Sequence, residues 1–94
     1  MAFNITLSNT ASEQLTEAFL WYEKRGKGNS LLKEVYQLLD TISENPKLFP
    51  IDFGEYRRAK VPKYPYIIIY FTATNNVVVT SVFHTKQNPD KRFP

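Results

Sequence analysis

The sequence predicts an α+β fold in the order β-α-α-β-β-β, a helical hairpin packed on an antiparallel sheet. Three observations predict it. Apolar residues recur at helical spacing twice between residues 11 and 45. A short alternating segment precedes them, and β-branched and aromatic runs follow them. Glycine, proline and asparagine stand at the junctions.

Phe3, Ile5 and Leu7 alternate with Asn4, Thr6 and Ser8, the period-two pattern of a half-buried strand. Thr10-Ala11-Ser12-Glu13 has the form of a capping box and predicts the start of the first helix. Ala11, Leu15, Ala18, Phe19 and Tyr22 then form one apolar face through residues 11–25. Gly26 and Gly28 supply the backbone freedom that stops it. Asn29 or Ser30 is the expected cap of a second helix, with Leu32, Val35, Leu39 and Ile42 as its stripe and Leu31 and Leu38 widening it. Asn45-Pro46 ends that helix, because proline forces the residue before it out of the helical region. Residues 46–54, with Pro46, Pro50 and Gly54, read as a loop.

Three strands follow: Tyr56–Val61, Tyr66–Phe71 and Val77–Phe83. Pro62 and Pro65 bracket the first connection, and Asn75-Asn76 is the expected hairpin turn, since asparagine tolerates positive φ. There is no repeat and no linker, so residues 1–94 are expected to form a single domain.

Composition narrows the chemistry. Without cysteine, disulfides, thiol nucleophiles and cysteine zinc sites are excluded. One histidine, and only Glu55 and Asp90 as acids in the second half, point away from a metal site; no cofactor is expected. No apolar run approaches the ~20 residues of a membrane span, and Met1–Asn9 lacks a signal-peptide pattern, so a cytoplasmic location is expected. The net charge of +3 is asymmetric: residues 1–54 carry −2 and residues 55–94 carry +5. A basic second half suits an anionic partner, either nucleic acid or an acidic protein segment.

The candidate binding residues are Arg57, Arg58, Lys60, Lys63, Tyr64, Lys86, Lys91 and Arg92. Arg58 and Lys60, two apart on a strand, share a face, and Arg57 takes the other. In a strand meander Arg58, Lys60 and Lys86 converge near one end of the sheet. Such cations grip phosphate, and with His84 as acid or base they form a candidate metal-free ribonuclease set. The competing readings are a solvated basic face and a histidine that closes a strand end. Trp21 is placed at a partly exposed helix edge, as packing or as a partner contact. Tyr56, Tyr64, Tyr66 and Tyr70 either stack bases or fill the core.

Several segments, in order, make the chain similar to the RelE/ParE superfamily of bacterial type II toxin–antitoxin toxins. They are Glu17-Ala18-Phe19-Leu20-Trp21-Tyr22-Glu23, Ile42-Ser43-Glu44-Asn45-Pro46 with Phe49-Pro50, and Tyr56-Arg57-Arg58-Ala59-Lys60-Val61. Tyr64-Pro65-Tyr66-Ile67-Ile68-Ile69-Tyr70 and Val82-Phe83-His84 with Pro89 complete the set. The resemblance implies a RelE/ParE-like fold, a cognate antitoxin held in a hetero-oligomeric complex, and one of two targets. One branch cleaves mRNA on the ribosome; the other poisons DNA gyrase. The mRNA-cleaving branch tends to place an arginine where this sequence has Ile67, so the resemblance favours the gyrase-directed, ParE-like branch. An mRNA endonuclease using Arg58, Lys60, His84 and Lys86 is the alternative. A divergent, non-toxic binding module is the third reading.

Overall fold

The computed structural model describes residues 2–86. Strand β1 (Asn4–Leu7) leads into helices α1 (Asn9–Glu23) and α2 (Gly28–Glu44), then a 3-10 turn over Pro46–Leu48. Four strands follow: β2 (Ile51–Phe53), β3 (Tyr56–Lys60), β4 (Tyr66–Ala73) and β5 (Asn76–His84). They form one five-stranded sheet in the order β1-β5-β4-β3-β2.

The helical hairpin on a sheet is as the sequence predicts, but the sheet is mixed. Strand β1 joins β5 in parallel, with Ile5 opposite Val77 and Leu7 opposite Val79, while the other pairs are antiparallel. Alternation has the same period in both pairings, so it cannot distinguish them. Strand β2 lies within the segment read as a loop; three residues at a sheet edge are too few for a period to show. The sheet carries a bulge where Ile69 faces Ser81 and Tyr70 faces Val79, leaving Thr80 as the extra residue.

The helix caps also differ from expectation. Ser8, not Thr10, caps α1: its hydroxyl accepts from the Ala11 N–H at 3.1 Å and donates to the Thr80 carbonyl at 3.2 Å. One hydroxyl therefore starts the helix and ties it to the bulge. Ser8→Ala is expected to lower stability by about 1 kcal/mol in urea denaturation. Helix α2 begins at Gly28 without a side-chain cap, so neither Asn29 nor Ser30 serves as one. A Cβ on Gly28 would lie 2.8 Å from the Phe19 ring, which shows how closely the helices approach there. Between β4 and β5 the turn is Thr74-Asn75, and Thr74 holds the positive φ of 56° expected of an asparagine.

The core lies between the helices and the sheet. Ala11, Leu15 and Ala18 of α1 and Leu31, Val35, Leu38, Leu39 and Ile42 of α2 are buried against Ala59, Ile68, Tyr70, Val77, Val79 and Val82. Each large aliphatic contributes roughly 1.5–3 kcal/mol by leaving water. Tyr64, Tyr66 and Tyr70 are buried in the same core, so these three are packing residues. The Tyr70 hydroxyl donates to the Pro46 carbonyl at 2.5 Å and fastens the 3-10 turn to the central strand. No helix among the described residues is long and apolar enough to cross a membrane.

Candidate functional site

Strand alternation divides the predicted site between two faces of the sheet. Tyr66 and Ile67 are consecutive on β4 and take opposite sides. On the side away from the helices, Arg58, Lys60 and Ile67 line a cleft of about 470 Å³ with Phe49 and Pro50. Pairing places Arg58 beside Ile69 and Lys60 beside Ile67. On the helix side, His84 lines a second cleft of about 300 Å³ with Tyr66, Trp21 and Glu17. His84 sits opposite Tyr66 in the β4–β5 ladder, the two rings edge to face at 5.1 Å between centroids. The four residues of the ribonuclease set therefore do not surround one phosphate position: the sheet separates His84 from Arg58 and Lys60.

The cations are not equally available. Arg58 is exposed, and its guanidinium has no hydrogen-bond or ion-pair partner among the described residues. The Lys60 ammonium donates to the carbonyls of Val61, at 2.7 Å, and Tyr64, closing the β3–β4 connection. Arg57, on the opposite side from Arg58, donates to the Phe49 carbonyl at 2.7 Å and holds the loop before β2. Lys63, in the connection with φ 70°, pairs at 3.4 Å with Glu34, a nearly buried carboxylate of α2. Tyr64 is buried, donates to the Ser30 hydroxyl at 2.7 Å, and offers no open ring face to a base. Lys86 is exposed beyond β5, and its backbone N–H donates to His84 Nδ1 at 3.1 Å. Lys91 and Arg92 lie outside the described residues. Of the predicted basic surface, the structure brings Arg58 and Lys60 together in one cleft. Arg57 takes the opposite side by alternation, and Lys63, although its side chain is 75% exposed, reaches back to Glu34 of α2 from a left-handed turn position.

Burial raises the hydroxyl pKa values of Tyr66 and Tyr70. Tyr70 is pushed up to about 12 by desolvation, with the Arg57 charge opposing the rise. Tyr66 is also raised, by burial first and by neighbouring Tyr22 second. Both remain neutral acids at physiological pH and supply hydroxyls, not charge.

Sequence reasoning missed Gln14. Its Oε1 accepts from the Ser81 hydroxyl at 3.0 Å and the Val82 N–H at 2.7 Å, stapling α1 to β5 just beyond the bulge. The signal was present: a polar residue three positions after Ala11 and four before Ala18 falls on the apolar stripe, where it must find a partner.

Two helices on a five-stranded sheet is a fold shared with proteins of known structure. A chain of the chromosomal ParDE TA system from P. aeruginosa superposes with a TM-score of 0.77 at 8% identity, over 90% of this chain and 98% of that one. The YoeB dimer from Staphylococcus aureus superposes with a TM-score of 0.61 at 20% identity, over 88% and 97% of the two chains. At these identities the likeness speaks to the fold. Residues 5–89 match the family model for the ParE toxin of the type II toxin–antitoxin system parDE. The chain therefore belongs to the ParE toxin family, within the RelE/ParE superfamily indicated by its sequence motifs. No curated protein matches it.

Proposed function

We propose that this toxin acts in the cytoplasm by poisoning DNA gyrase, without itself being a hydrolase, and that a cognate antitoxin neutralises it in a hetero-oligomeric complex. One observation carries the reading: the only histidine in the sequence lies across the sheet from the Arg58–Lys60 cleft. Cleavage by 2′-hydroxyl attack needs a proton acceptor and cations around one phosphate. In the Arg58–Lys60 cleft the cations are present with Ile67, Phe49 and Pro50, a lining suited to binding a protein or nucleic-acid surface. Family membership supports the same branch.

The test uses purified components. Added to gyrase with ATP and relaxed plasmid, the toxin is expected to stop supercoiling and accumulate broken DNA. Added to ribosomes translating a defined message, it is expected to leave that message intact. Specific cuts in the message with normal supercoiling would replace this reading with the ribosome-dependent endonuclease. The antitoxin is tested by coexpressing the adjoining reading frame, which is expected to restore growth and to copurify with the toxin.

A further inference from the structure

We propose that the cleft between α1 and the paired ends of β4 and β5 is a binding site for an arginine side chain presented by a partner peptide. The inference is independent of which macromolecule the toxin inhibits.

Aromatic rings form the wall. Trp21 and Tyr22 meet edge to face at 4.8 Å, Tyr22 and Tyr66 at 6.3 Å, and Tyr66 and His84 at 5.1 Å between centroids. All four line the same cleft of about 300 Å³, where Gln14 and Glu17 add polar groups to the His84 imidazole and the tyrosine hydroxyls. Ring faces attract cations through their quadrupole, and a guanidinium adds planar stacking. The indole of Trp21 already does this within the chain: the Arg25 guanidinium sits 3.4 Å from the ring centroid. Arg25 is held by its hydrogen bond to the Trp21 carbonyl at 2.8 Å and is not among the residues lining the cleft.

Charge and unmet hydrogen bonds point the same way. Glu17 is the one carboxylate in the lining, and it has no ion-pair partner among the described residues. Tyr66 is only 8% exposed, yet its hydroxyl has no hydrogen-bond partner among the described residues. The hydroxyl lines the cleft and is not committed to any group of the protein among the described residues, so a ligand donor can reach it without breaking an internal bond. A guanidinium has five N–H donors, enough to reach the Glu17 carboxylate and the Tyr66 oxygen, while its plane rests on one neighbouring ring face. A phosphate or other anion would meet Glu17 instead, so the cleft's chemistry is opposite to that of the Arg58 cleft on the far side.

Trp21 is the only tryptophan and therefore reports directly on occupancy. The probes are acetyl-Gly-Arg-Gly-amide and the same tripeptide with citrulline, which keeps the shape and removes the charge. The arginine peptide is expected to change Trp21 fluorescence saturably, with a dissociation constant on the order of 1 mM, and to shift the ring resonances of Tyr66 and His84. Citrulline is expected to bind at least about fivefold more weakly. Glu17→Gln is expected to weaken arginine binding about fivefold, and Arg25→Gln to preserve it. Tyr66→Phe is expected to weaken binding about threefold while leaving thermal stability equal or higher, the opposite of what a purely structural hydroxyl would do. Equal binding of the citrulline peptide, undiminished binding in Glu17→Gln, or no saturable change would overturn the proposal.

Discussion

Tyr70→Phe is expected to destabilise the toxin by about 1–3 kcal/mol at pH 7, because the Pro46 carbonyl loses its buried donor. The gap should then narrow as the solution becomes alkaline. In the unfolded chain the phenol ionises near its model value of 10.0, whereas in the fold it keeps its proton to about 12. Below the unfolded value both states are protonated, and the stability held by the neutral phenol is fully present. Between the two values the unfolded chain releases a proton that the fold retains, so stability falls as pH rises. The full fall corresponds to roughly 2–3 kcal/mol, of which about 1 kcal/mol is lost by pH 11. The phenylalanine variant lacks this contribution. Urea denaturation of both proteins at pH 7 and pH 11 checks the sign, and a gap that stays constant would contradict it.

Arg58→Glu should reduce growth inhibition at least about tenfold while leaving the protein folded. The guanidinium is exposed and unpartnered among the described residues, so its loss costs the fold little, and reversal of its charge repels an anionic target. Lys60 is a poorer probe of function because its ammonium also closes the β3–β4 connection. Growth curves under induction, with thermal denaturation as the folding control, separate the two effects. Full toxicity of a folded Arg58→Glu protein would remove this cleft from the working surface.

Much of the architecture was legible because burial imposes a period. The stripes on α1 and α2, the apolar run of β4 and the opposite facing of Arg57 and Arg58 all follow from spacing alone. Features set by long-range geometry were not. The parallel pairing of β1 depends on where the helical hairpin returns the chain, and strand β2 exists through its partner β3. The cap at Ser8 is favoured by a carbonyl 72 positions away. Lys60 reads as a free cation until the turn it closes is seen, since a one-dimensional pattern does not show which carbonyls converge on an ammonium. For His84, position was predictable and company was not: its place at the end of β5 follows from the strand pattern, but the side of the sheet depends on the bulge at Thr80.

The separation of His84 from Arg58 by the sheet is the point on which the functional reading turns. Induced expression in cells without the antitoxin, read by transcript-end mapping and DNA-damage induction, tests it most directly. Damage with intact transcripts, undiminished in a His84→Gln variant, is the predicted result. Site-specific transcript cleavage that disappears in His84→Gln, with DNA left whole, would contradict the account.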